Sequence, residues 1–178
     1  MPTRSESEKI ILEHEAAKIF LRLYERRFHT RARDIIHNEP SKPDVTCHID
    51  HQNLDLEIAH LYGSADEAML LLGRSIDDEI TQKLNEQAFI NGAHERLMSA
   101  LNAILCSKAA KRYDSDRVWL VIRNAHPAWS SDEIKRATCE ISVPDNHPFE
   151  QIWIIGDFEG QSGIVKLFPQ PALNFCQT

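Results

Sequence analysis

The stretch Asp44-Val45-Thr46-Cys47-His48-Ile49-Asp50-His51-Gln52-Asn53-Leu54-Asp55-Leu56-Glu57-Ile58-Ala59-His60-Leu61 decides the fold. It holds two runs with a period of two, Asp44 to Asp50 and Asn53 to Leu61. Val45, Cys47 and Ile49 alternate with polar neighbours in the first, and Leu54, Leu56 and Ile58 with Asp55, Glu57 and Ala59 in the second. Successive side chains of a strand point to opposite faces, so each run predicts a strand with one apolar face. A tight turn at His51-Gln52 would pair Asp50 with Asn53. It sets Asp44 opposite Ala59, with Glu57 diagonal to Asp44. A slip of one residue would drive the acids among the leucines, so the apolar pattern holds the two faces apart.

Outward from the hairpin, Ile10, Ala17, Phe20, Leu21, Tyr24 and Phe28 recur at helical spacing, predicting a helix over 5–28. Ser5 and Glu8 fit a capping box at its start. A short extended piece is expected at Asp34 to His37, before the break Asn38-Glu39-Pro40-Ser41-Lys42-Pro43. Residues 64–113 have a helical pattern, with breaks near Gly73 and at Asn91-Gly92. Arg117 to Asn124 and Gln151 to Phe158 are apolar on both faces, as covered strands are. A helix capped by Ser130 or Ser131 and running to about Ile141 lies between them, and Gly163 to Phe168 makes an edge strand. This order predicts one α/β domain over residues 1–178, a mixed central β-sheet flanked by α-helices.

The composition suits that fold: 42% of the 178 residues are hydrophobic and 26% charged. No apolar run is long enough to cross a bilayer, and the first residues lack an export signal, so a cytoplasmic protein without a membrane partner is expected. Cys47, Cys106, Cys139 and Cys176 form no close pair, which excludes zinc fingers and ribbons and leaves them as small buried hydrophobes. GxGxxG and GxxxxGK[ST] phosphate loops are absent. Trp119, Trp129 and Trp153 are expected in or against the core, with an exposed loop position open for Trp129.

The net charge of −7 excludes a wholly basic coat but not a local basic track. Arg22, Arg26, Arg27, Arg31 and Arg33 cluster at the end of the first helix, and Lys108, Lys111, Arg112, Arg117 and Arg123 form a second group. Solvated helix faces are the bland reading of both.

Asp44 and Glu57 fall on one face of the hairpin. If that face is covered, two acids repel and lose water, and they need a cation or a proton. Carboxylate oxygens with room for water favour magnesium or manganese. Glu13 lies on the inward stripe of the first helix. On the later helix the stripe through Leu97, Leu101, Ile104 and Leu105 runs into Lys108, then Lys111, which either snorkel or meet a buried acid. A rival reading puts zinc at His48, Asp50 and His51.

Pro43-Asp44, a spacer, then Glu57-Ile58-Ala59 resembles the PD-(D/E)XK nuclease superfamily, whose fold is restriction-endonuclease-like. That family has a proline-aspartate at one strand, acid-x-lysine on the next and often a glutamate on a preceding helix. Here Ala59 stands in place of the lysine. Some members carry the lysine on a following helix, a part open to Lys108 or Lys111.

The resemblance implies a metal-dependent nuclease hydrolysing phosphodiester bonds, of DNA more than RNA. Asp44 and Glu57 would hold Mg2+ or Mn2+, Glu13 would add a ligand, and Lys108 would stabilise charge. Arg26, Arg27, Arg31 and Lys111 would bind the nucleic-acid backbone. The displaced lysine keeps an alternative open: a catalytically inactive relative serving as a nucleic-acid-binding or assembly module, with a homodimer as one assembly. A small α/β interaction module of other ancestry is the third class.

Overall fold

The computed structural model describes residues 4–38, 42–63 and 92–170. The elements run α1 (Arg4–Phe28), β1 (Ala32–His37), β2 (Val45–Ile49), β3 (Gln52–Leu61), α2 (Ala93–Ala109), β4 (Val118–Asn124), α3 (Ser131–Arg136), β5 (Gln151–Ile155) and β6 (Ile164–Phe168). The six strands form one sheet in chain order. β1, β2 and β3 are antiparallel, β3, β4 and β5 parallel, and β6 antiparallel to β5, so the sheet is mixed and the fold α/β.

Each face of the sheet takes its own cover. Phe20 and Leu21 of α1 pack on Leu54, Leu56, Trp119, Val121 and Trp153. On the other face Leu97, Leu101 and Leu105 of α2 meet Leu120, Ile122, Ile152 and Ile154. β4 is buried at every residue, as the middle of a doubly covered parallel stretch must be. Burying each such aliphatic side chain contributes roughly 1.5–3 kcal/mol. At the end of β4, Asn124 is fully buried. Its amide donates to the carbonyls of His126, Trp129 and Gly156 at 3.2, 3.0 and 2.9 Å, locking the loop that follows. Among the described residues, no helix is long and apolar enough to cross a membrane.

Several expectations change. The hairpin turns at Asp50-His51, both left-handed with φ of 49° and 66°, because Ile49 pairs with Gln52. The register is therefore two residues from the expected one, and the assignment of faces survives because two is the strand period. α1 begins at Arg4, so Ser5 lies inside it and is no N-cap. α3 starts as expected, with a full Ser130–Glu133 capping box, but stops at Arg136. There the Thr138 hydroxyl donates to the Ile134 and Lys135 carbonyls. β5 ends at Ile155, three residues early. Trp129 is buried, whereas Cys106 and Cys139 are exposed; among the described cysteines, only Cys47 fits the buried reading. Gly92 stands immediately before α2 in a left-handed conformation; Gly73, Asn91 and Cys176 lie outside the described residues.

Candidate functional site

β3 is longer than its neighbour, and the site forms where it outruns it. Asp55 N–H donates to the Arg117 carbonyl at 3.0 Å, and Ala125 N–H to the Leu61 carbonyl at 2.9 Å. Odd-numbered residues of β3 thus turn their peptide groups toward β4, and even-numbered ones toward β2. The paired part of β2 ends at Val45, opposite Leu56. The next even residue, Ile58, has no strand beside it, and buried peptide groups must be satisfied. Asp44 Oδ2 accepts the Ile58 N–H at 2.8 Å. The Lys108 ammonium donates to the Ile58 carbonyl at 3.1 Å.

The same ammonium lies 2.6 Å from Glu57 Oε1, and Lys111 Nζ lies 3.4 Å from that oxygen. Glu57 is only 4% exposed. Extended by one residue, the observed register sets Asp44 directly across from Glu57, not diagonal to it. Ala59 lies in the core on the α2 side, and Lys108, in the last turn of α2, lines the same cavity. Asp44, Glu57 and Lys108 are therefore brought together, and Lys108, not Lys111, makes the closer contact.

Glu13 is 5% exposed and pairs with Lys9 at 3.2 Å. Burial raises its pKa, and the charge of Asp44 adds to the effect. Burial also raises the pKa of Asp44, with Glu57 repelling it; the Ile58 N–H and Lys108 oppose this without cancelling it. Burial lowers the pKa of His60 to about 4, with Arg123 and Lys108 adding to it. Tyr113, which the sequence reading passed over, also faces Glu57: burial and then that carboxylate push its phenol up. The acids thus occupy a desolvated, mutually repelling patch beside a cavity of about 500 Å³ lined by residues of α1, β3 and α2.

Among the described residues, no group of three His, Cys, Asp or Glu side chains could hold a metal ion. That overturns zinc at His48, Asp50 and His51: His48 turns to Asp34 at 3.4 Å, and Asp50 accepts from the Thr30 hydroxyl. It also leaves Glu13 with Lys9 and not as a third ligand. The donor set that fits a hard divalent ion is two carboxylates, Asp44 and Glu57, plus the Ile58 carbonyl and water.

The expected basic track is divided. Arg27 belongs to the core edge: its guanidinium donates to the Ile164 carbonyl at 3.0 Å and lies 5.8 Å from the centre of the Trp153 ring. Arg26 is exposed at the end of α1. Arg31 and Arg33 line a hollow of about 320 Å³ at the far end of the hairpin, with His48 and Asp50. Lys111 stands at the site itself.

No family model, curated protein or solved structure matches this chain. Any functional reading therefore rests on the geometry of the site and on the sequence motif.

Proposed function

We propose that the protein is a metal-dependent nuclease of restriction-endonuclease-like fold, acting on phosphodiester bonds of nucleic acid, DNA in the first instance. One observation carries this reading. A lysine from α2 touches both Glu57 and the Ile58 carbonyl, while the register extended by one residue sets Asp44 across from Glu57. The element order agrees with it: a helix, an antiparallel hairpin, a helix, then a parallel strand.

Asp44, Glu57 and the Ile58 carbonyl would hold a magnesium or manganese ion, which would polarise the phosphodiester and lower the pKa of a water. Asp44 is oriented for this by the Ile58 amide. Glu57 is oriented by Lys108. As charge builds on the phosphoryl oxygens, the Lys108 ammonium can turn from Glu57 to them and stabilise it. Arg26 and Arg31 are free to meet backbone phosphates, which position a strand without reading its sequence.

A second reading, a non-catalytic nucleic-acid-binding or assembly protein on the same fold, has its own support. Lys108 and Lys111 together already neutralise Glu57, so the acids are partly satisfied by the chain itself. Thermal unfolding in manganese separates the two. The nuclease reading expects the ion to raise Tm and Asp44→Ala and Glu57→Ala each to abolish the rise. An unchanged Tm for the parent chain, with DNA binding but no cleavage, supports the second.

A further inference from the structure

The cavity beside Lys108 has walls of two kinds. Lys9, Glu13 and Lys108 supply charge, while Leu12 of α1 and Ile104 of α2 supply hydrocarbon. A third wall is aromatic. His60 and Tyr62 are two residues apart and project to the same side of the chain. Their rings lie 6.0 Å apart and within 15° of parallel. Both line the cavity and both remain half-buried. Packing alone would account for one ring against the other. It does not account for an aromatic stack left facing an open space of about 500 Å³ at the edge of the acid pair. That volume is in the range of small-ligand pockets, about 300–1,000 Å³.

We propose that this cavity is a nucleobase pocket, which takes one unstacked base of a single strand by stacking on Tyr62 and clasping it between Leu12 and Ile104. The inference rests on the nuclease reading for what the neighbouring phosphate does at Asp44 and Glu57, and it names the substrate class of that site. A base inside a duplex has both faces covered by its neighbours and offers only its edges, so a flat aromatic wall selects a base that has left the stack. The charges fit the same occupant. Lys9 and Lys108 stand on opposite helices, one to either side, where the phosphates flanking a bound base carry negative charge. Both ammonium groups already pair with acids of the chain, Lys9 with Glu13 and Lys108 with Glu57, so a flanking phosphate would share them with those carboxylates. The absence of a base-reading code in the sequence is consistent, because stacking accepts any base.

The test is binding without turnover. A short DNA strand with 2-aminopurine is titrated into the full chain in EDTA and in calcium, as a single strand and as a blunt duplex. The single strand should bind more tightly, with the fluorescence quenched by stacking. Tyr62→Ala should weaken it roughly 5- to 100-fold, the effect of losing one base–aromatic stack. Tyr62→Phe should restore it. Ala103→Leu on the exposed side of α2 narrows the space with hydrocarbon and adds no ring to stack on, and it should weaken quenching if Tyr62→Ala fails to fold. Equal or tighter binding of duplex overturns the inference. So does undiminished quenching in folded Tyr62→Ala or Ala103→Leu, or binding of neither form. A chain that binds single strands this way but leaves them intact in magnesium and manganese keeps this inference and loses the nuclease reading. One that cuts blunt duplex at full rate with Tyr62→Ala keeps the nuclease and loses the pocket.

Discussion

The Lys108 ammonium lies 2.6 Å from the Glu57 carboxylate, across 51 positions of sequence, and it also bonds the carbonyl of Ile58. The pair is set up by two independent requirements. An apolar stripe on α2 docks its last turn against the sheet, and the end of β2 leaves the Ile58 peptide without a strand partner. Lys108 satisfies both that carbonyl and the buried acid.

Lys108 and Lys111 should therefore not be equivalent. The Lys108 side chain is 18% exposed and that of Lys111 51%. Lys108→Met leaves buried Glu57 with only the longer, more exposed contact to Lys111 and should destabilise by roughly 2–4 kcal/mol, near the range for breaking a buried pair. It should also lower nuclease turnover roughly 100- to 1,000-fold by removing the cation at the developing charge. Lys111→Met should cost no more than about 1 kcal/mol, as exposed pairs do. Denaturant melts and cleavage rates of both variants check the difference.

Asp44 gives a pH signature. Its folded pKa is raised, by burial first and then by Glu57. The native state thus holds this proton more tightly than the unfolded chain does. The stability from this group is fully present below the ordinary value of 3.8 and is lost as pH rises through the folded value. Asp44→Asn keeps an oxygen to accept the Ile58 N–H and removes the repulsion. It should gain about 0.5–1 kcal/mol at neutral pH, with the gain shrinking as pH falls below the folded pKa. Stability curves for the two proteins, subtracted point by point, isolate the effect from the other carboxyls.

Position 59 permits a transplant. Lys108→Met should be inactive, and adding Ala59→Lys, at the motif position on β3, should recover at least about tenfold in rate. Ala59→Lys alone crowds a second ammonium beside Lys108 and should slow the proposed cleavage. Rates of the single and double variants, read as a cycle, show whether one cation serves from either place.

The parts of the fold and site legible in the sequence were those carried by periodicity. The two faces of the hairpin, the inward Glu13 and the stripe leading to Lys108 all follow from counting by two or by three and four. The register did not follow, because alternation distinguishes odd slips from even ones and is blind to a slip of two. The turn that decides it uses Asp50 and His51 in left-handed conformations without the Gly that usually signals such a turn. Capping of the Ile58 peptide by Asp44 and Lys108 was invisible for a similar reason: it depends on where β2 stops relative to β3. The contacts of Arg27, an exposed residue whose guanidinium also meets the Ile164 carbonyl and the Trp153 ring, were not legible either, because a basic cluster reads the same whichever neighbours its side chains have.

Asn124 holds the loop after β4 by bonds that no motif announces. Asn124→Ala removes the donor to three buried carbonyls and should cost roughly 2–4 kcal/mol, from the desolvation of groups left unpaired. Asn124→Asp, which keeps the acceptor for the His126 N–H at 2.9 Å but faces three carbonyls with a negative oxygen, should do no better. Thermal unfolding of the two variants checks this, and their metal response should persist while they are folded.

The most direct measurement is cleavage of end-labelled DNA, single-stranded and duplex, by the full chain in magnesium and in manganese. The account predicts metal-dependent cleavage that disappears with chelator and is lost in folded Asp44→Asn, Glu57→Gln and Lys108→Met. Intact DNA with the parent chain in both metals would contradict it, as would cleavage that survives in Asp44→Asn and Glu57→Gln.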